Sequence, residues 1–454
     1  MGMRHIHEDI SSSLVDVIQS LRRTLCDVPF SVRHRMRPQD FTRHRQLTFP
    51  IVMLLALQKT VKSIQRHLHE FLDELADGQL FEPVTAGAWT HARAKLKHTA
   101  FIELNTANLL PWVYGPPAAS RLRLWRGHRL LGVDSSLLRL PNSAELREHF
   151  GVVTVKNHLG PTGTCYPAAR MSVLYDLLNR VSLEGRLEPA GVGEVALAIE
   201  QLAQASAGDV LINDRGFTGY RYLAWHHRLG LDYIARCSSG SFAAAQAAFR
   251  ANRGGRSQVV RLLAGASERA ELQRLGLPLE LKVRLVSVRL PTGELEVLAT
   301  SLLDEQSYPT AEFLQVYHWR WNHETFYGAI KGRLDLENFS GETLEAVRQD
   351  FHATLLLSNL ETILTAETQA GLQAQSAQEK YPKQVNRAVS FHAVKDQLLA
   401  LLYSDAPTEQ VIEKLRRLFR GTPVSVRLER KPPRRKMSFN RSYHFQRNIK
   451  KIVF

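Results

Sequence analysis

The chain has 454 residues, with 59 Lys+Arg against 44 Asp+Glu and a formal net charge of +15. Its 44% hydrophobic and 23% charged residues are ordinary for a globular protein of about three domains, which excludes wholesale disorder, a collagen and a disulfide-stapled miniprotein. Cys26, Cys165 and Cys237 build neither a disulfide framework nor a CxxC metal site, the longest apolar run is only Ile51 to Leu57, and MGMRHIHEDI lacks a signal peptide's apolar stretch; the expectation is a soluble, cytoplasmic, nucleoid-associated protein whose charge favours a polyanion over a membrane.

Residues 1 to about 120 read as helical. Thr48 before Pro50 caps a helix carrying Ile51, Leu54, Leu55 and Leu57, and Ile64, Leu68, Phe71 and Leu75 continue the helical spacing. A third helix, starting at Thr85 in TAGAWTHARAKLKHTAF, projects His91, Arg93, Lys95 and Lys97 among Ala88, Ala92 and Leu96. One basic helix among several short ones fits a helix-turn-helix DNA reader, and equally a small bundle with a solvated basic face. The stretch SVRHRMRPQDFTRHR reads in isolation as a solvated linker.

From about 125 the pattern changes. Arg129 to Asp134 is a short apolar strand ending in a carboxylate, Leu137 to Leu140 continues extended, and Met171 to Leu178 is a third strand. A helix with Val195, Ile199 and Leu202 on one face stops at Gly208 before a buried strand, Val210-Leu211-Ile212, which again leads to a carboxylate at Asp214. A helix around Tyr220 to Arg228 and a strand at Asp232 to Arg236 follow. Over about 238 to 308, Leu281 to Leu290 alternates apolar and polar residues, Pro291-Thr292-Gly293 is a turn signal, and Leu295 to Thr300 returns as a second strand, an antiparallel insertion. From Ala311 a single helix capped by Thr310 runs to Gly332, and another runs from Leu344 to about Ala366. The last 24 residues, from Lys431 to Phe454, hold eight basic residues and no acidic one, with Phe439, Tyr443, Phe445 and Phe454 interleaved, a pattern suited to docking along a phosphate backbone.

Asp134 and Asp214 stand at the ends of two strands separated by a helix, where α/β folds commonly place chemistry, although an Asp closing a strand is also a frequent turn former. On the helix that follows, Tyr317, Arg320, Glu324 and Lys331 fall within an arc of roughly 60° at about 100° per residue. As a solvated face this stripe holds only an Arg320–Glu324 pair worth a few tenths of a kcal/mol. With two strand-borne carboxylates it suits two-metal phosphoryl transfer, which needs carboxylates from separate elements converging on paired Mg²⁺ ions and cations nearby for phosphates. Asp176 also follows an apolar strand, but strand direction alternates between antiparallel neighbours, so it reads as structural. His67/His69 and His226/His227 lack partners at zinc-site spacing, and Trp319 and Trp321 read as packing the helix against the sheet.

At these residues the sequence resembles the bacterial insertion-sequence transposases with a DDE triad and a Y-x2-R-x3-E-x6-K signature, here Tyr317, Arg320, Glu324 and Lys331. GVDSS resembles the family's first aspartate motif, NDRGF its second, and ENFSGETLEAVRQDF the segment after the catalytic helix, so the resemblance spans about residues 45 to 450. It implies an α/β chain with an RNase H-like catalytic core: a helical N-terminal DNA-binding region over 1–120, core over 121–237, a β-rich insertion over 238–308, core with the catalytic helix over 309–370, and a helical, basic C-terminal region over 371–454. Carried over, Asp134, Asp214 and Glu324 are the catalytic residues and hold two Mg²⁺ ions, for which Mn²⁺ substitutes, while Tyr317, Arg320 and Lys331 bind DNA. The implied partner is double-stranded DNA, at the element's terminal inverted repeats and at the target, with a homodimer in the DNA complex and no membrane. The implied activity is cut-and-paste cleavage and strand transfer; the alternative is a domesticated or decayed descendant that binds DNA without cutting.

Overall fold

The computed structural model describes residues 2–43, 45–59, 63–77, 79, 82–115, 122–157 and 160–427, so the expectation for the tail from 431 to 454 lies outside the described residues. The chain divides into two compact units, one of Met1–Ser120, Leu138–Ala169 and Ala329–Phe454, the other of Arg121–Leu137 and Arg170–Gly328.

The fold is mixed α/β around a large sheet. Its strands are β1 (Leu130–Arg139), β2 (Val152–Asn157), β3 (Gly160–Asp176), β4 (Ser182–Pro189), β5 (Val210–Asn213), β6 (Asp232–Arg236), β7 (Arg256–Leu263), β8 (Glu280–Arg289) and β9 (Leu295–Thr300). They lie in the order β2-β3-β1-β5-β6-β9-β8-β7, with β4 beside β3. β1, β5 and β6 run parallel, and β5 is buried at every position, as expected of a strand covered on both faces. The helix Tyr220–Leu229 makes the crossover from β5 to β6. The antiparallel strands β7, β8 and β9 extend this sheet, because β9 pairs with β6 from Ile234↔Thr300 to Arg236↔Leu298.

Several strands were not anticipated. The first half of β3 (GPTGTCYPAAR) and β4 (SLEGRLEP) are rich in Gly, Pro and polar residues, which weakens their strand signal, whereas β2 (VVTVKN) carries three valines, and β7 (RSQVVRLL), exposed at most positions, lacks a regular alternation of apolar and polar residues. Asp176 is fully buried and accepts from the backbone N–H of Leu178 and Asn179 and from Asn179 Nδ2, closing the turn between β3 and β4, which supports its structural reading. His226 is likewise a core residue, its Nδ1 2.9 Å from Tyr222 O, and burial pushes its pKa down to about 4.

The other unit is mainly helical. In Phe49–Leu57 every residue but Pro50 is buried, and Leu344–Gln375 runs 32 residues, past the expected end near Ala366, with buried residues around most of its circumference. The predicted basic helix is shorter than expected, Ala86–Arg93, and is followed by Thr99–Leu104. Arg93 does not project to solvent: it is buried, with Nε donating to Gln349 Oε1 (2.7 Å) and Nη2 to Asp350 Oδ1 and Ala346 O (both 2.8 Å). The stretch read as a linker is folded in part, because the helix Val28–His34 enters it and His34 Nε2 lies 2.8 Å from Glu103 Oε2. Among the described residues no helix is long and apolar enough to cross a membrane.

Candidate active site

The register of β1 and β5 sets the two aspartates. Leu130 stands beside Val210, Leu131 beside Leu211 and Gly132 beside Ile212, and two residues further along the two parallel strands come Asp134 and Asp214. Leu130, Leu131 and Val133 anchor β1 in the core, and Asp214 emerges directly after the buried β5, at the start of the 3-10 turn Arg215–Phe217. Asp134 accepts a hydrogen bond from the backbone N–H of Ser135 at 2.8 Å. Burial raises its pKa to about 6, with Asp214 and Glu194 adding to the rise while the Ser135 N–H and Arg320 oppose it.

The expected single helix from 311 to 332 is broken. A 3-10 turn, Thr310–Glu312, leads into Phe313–His318, and a second helix, Trp321–Gly332, follows. Across the junction the N–H groups of Trp319, Arg320, Asn322 and His323 bond three residues back rather than four. At three residues per turn, about 120° each, Tyr317 and Arg320 are eclipsed instead of lying 60° apart. The Arg320 guanidinium accordingly sits 5.7 Å from the Tyr317 ring centre, and 5.5 Å from that of Trp321. No Pro or Gly lies between Phe313 and Tyr327, so the sequence carries no breaker at this junction.

Arg320 is the hub of the site. Its Nη2 donates to Glu324 Oε1 at 2.8 Å, its Nη1 lies 4.0 Å from Asp214 Oδ2, and Tyr317 Oη donates to Asp214 Oδ1 at 3.3 Å. The Arg320 side chain is only 8% exposed, whereas those of Asp214 and Glu324 are 44% and 39% exposed. Burial holds the Tyr317 phenol well above its usual pKa and therefore protonated. Five of the six predicted residues thus belong to one unit, and Asp214, Glu324 and Tyr317 each touch Arg320 or each other. Lys331 ends the same helix but falls in the other unit; burial lowers its pKa, with Glu337 opposing. Among the described residues no group of three or more His, Cys, Asp or Glu is arranged to hold a metal ion.

Trp321 is 44% exposed, which does not fit the expected packing of the helix against the sheet, while Trp319 is partly exposed. His323, Phe326 and Tyr327 pack the helix onto the sheet, with His323 and Phe326 stacked on Tyr175 of β3. His323 is buried and held neutral, its pKa pushed down to about 3 by burial and by Arg320. Gly132 admits this approach, since a Cβ there would meet Leu177 Cδ2 at 3.1 Å and His323 Nδ1 at 3.3 Å. The roles of His323 and Gly132 depend on contacts between elements and were missed.

Residues 125–360, more than half of the chain, match the family described as Transposase DDE domain. The chain belongs to that family and is a DDE-type transposase, an enzyme of a class that works with divalent metal ions on DNA recombination. No curated protein matches its sequence. Among solved structures it is similar to the cryo-EM structure of a piggyBac transposase synaptic complex with hairpin DNA, at 11% identity and a TM-score of 0.42, over 97% of this chain and 83% of that one.

Proposed function

We propose that this transposase acts for a bacterial insertion sequence, as a homodimer on double-stranded DNA. It binds the terminal inverted repeats and hydrolyses the phosphodiester at each end, then joins the freed 3′-OH to target DNA. Water attacks first and displaces the 3′ oxygen; that 3′ oxygen then attacks a target phosphodiester and displaces another. The observation that carries the reading is the shared edge of β1 and β5, where Asp134 and Asp214 follow matched register positions, with Arg320 linking Asp214 to Glu324. The order β4-β3-β1-β5-β6 supports an RNase H-like core.

By chemistry the donor set suits hard divalent cations, being three carboxylates, all oxygen, supplied by a strand, a strand end and a helix, although they do not converge as a ready-made cluster and would draw together on the ions. Asp134, Asp214 and Glu324 would hold two Mg²⁺ ions, or Mn²⁺ in their place; when bound, the ions supply activation of the attacking oxygen and stabilisation of the leaving one. Arg320 and Tyr317 compensate the acids from the side of the helix junction, and Arg320, Tyr317 and Lys331 are the candidates for gripping phosphates at the transposon end. The test is incubation of the protein with Mg²⁺ and the DNA flanking its gene, followed by mapping of cut ends and joined products. Asp134→Ala, Asp214→Ala and Glu324→Ala should abolish cutting and leave end binding nearly intact, because each removes metal-assisted chemistry while the grip on DNA stays in place. Binding without any cut product would favour the non-cutting alternative.

A further inference from the structure

The helix that bears Glu324 is joined to the strand that bears Asp134 by one buried oxygen atom. Tyr327 Oη donates to the backbone carbonyl of Asp134 at 2.5 Å and accepts from the backbone N–H of Val173 at 3.2 Å. Leu177 N donates to Leu130 O, and Leu140 N to Pro167 O. Both bonds keep one antiparallel register between β1 and β3, and the same register sets Asp134 opposite Val173. The phenol thus enters the sheet at the residue pair that contains Asp134. Ser172 Oγ stands 3.3 Å from the same carbonyl, its one proton shared with Gln201 Oε1 at 2.5 Å. Tyr327 is 7% exposed, so both bonds of its phenol are shielded from water.

We propose that Tyr327 is a positioning residue that sets the separation between the Asp134 and Glu324 carboxylates and so tunes the site's affinity for divalent ions. This rests on the reading of those two acids as metal ligands. Glu324 lies one helical turn before Tyr327, so a rigid phenol-to-carbonyl link at Asp134 transmits to Glu324 through a single turn of backbone. The aromatic contacts alone would leave the helix free to slide on β3, because stacking of His323 and Phe326 on Tyr175, at 5.5 and 4.3 Å between ring centres, is weakly directional. Two hydrogen bonds to backbone atoms of adjacent strands remove that freedom.

The experiment compares Tyr327→Phe with Ser301→Ala, using Mn²⁺ binding followed by electron paramagnetic resonance, thermal melting without metal, and the metal concentration that half-saturates cleavage. Ser301 is the matched control, since its hydroxyl also accepts from a backbone N–H (Tyr233, 3.0 Å) and donates to an oxygen (Asp232 Oδ1, 2.7 Å) in the same unit. Tyr327→Phe should weaken Mn²⁺ binding and raise the half-saturating concentration about tenfold, the low end of the roughly 10–100-fold that loss of an outer-shell partner costs, with end binding unchanged. Ser301→Ala should lose comparable stability with no change in metal dependence. Should Tyr327→Phe fail to fold, Ser172→Ala, which removes the hydroxyl beside the same carbonyl, should shift metal dependence in the same direction by less. Unchanged Mn²⁺ affinity in the folded variant would overturn the proposal. If Asp134→Asn also leaves Mn²⁺ binding unaltered, the reading of the site fails; if Asp134→Asn abolishes binding while Tyr327→Phe does not weaken it, the positioning role alone falls.

Discussion

Arg320 donates from Nη2 to Glu324 at 2.8 Å while its Nη1 stands 4.0 Å from Asp214, so one buried guanidinium compensates carboxylates from two separate elements. On an open helix face the Arg320–Glu324 pair would contribute only a few tenths of a kcal/mol. In this site it is the cation that both acids share, so removing it leaves Asp214 and Glu324 without that compensation.

A fork geometry is required to serve both acids, and lysine has none. Arg320→Lys is therefore expected to impair single-turnover cleavage nearly as much as Arg320→Ala, each by roughly tenfold to a hundredfold if misplacement of about 1 Å results. Near-wild-type rates from both folded proteins would reduce Arg320 to an ion-pairing residue.

The Asp134 carboxyl, raised by burial to about 6, makes a signed prediction. A raised acid binds more protons in the folded than in the unfolded state between its ordinary value near 3.8 and about 6. The cost of keeping it ionised is fully present above about 6 and fades as the pH falls toward 3.8. In metal-free buffer Asp134→Asn should melt above wild type at pH 8, with the gap closing through the acid range. Melting curves across that range decide it, and a gap independent of pH would contradict the assignment.

Arg93 tests the reading of the N-terminal region. Its guanidinium and Asp350 form an ion pair exposed by only 5% and 0%, so Arg93→Ala should cost about 3–5 kcal/mol, the range for breaking a buried pair. Exposed His91 should change stability by less than about 0.5 kcal/mol when replaced by Ala. Urea denaturation of both variants makes the comparison, and equal midpoints would place Arg93 at the surface.

The C-terminal cations predict a salt effect. Deleting residues 431–454 should flatten the log–log dependence of end binding on salt by about 0.9 for every phosphate that the tail neutralises. Binding isotherms at several salt concentrations measure the slope, and an unchanged value would mark the tail as a bystander.

What the sequence determined by itself was local. VLIN and DYIAR are legible as strands because chain covered on both faces must be apolar at nearly every position, and the helix bearing Glu324 is legible because periodicity is carried by neighbours in sequence. Asp134, Asp214 and the stripe of Tyr317, Arg320 and Glu324 could be named on that basis, although β1 runs on to Arg139 and leaves Asp134 inside the strand instead of at its end. Tertiary structure alone decided the rest. Residues 319 and 320 leave the helix although no Pro or Gly marks the place, Arg93 turns inward to Asp350 instead of outward, and Tyr327 reaches a carbonyl 193 residues away. Each outcome depends on a partner supplied by distant chain. The energy of a buried charge or phenol is set by what it meets there, and spacing along the sequence does not encode that meeting.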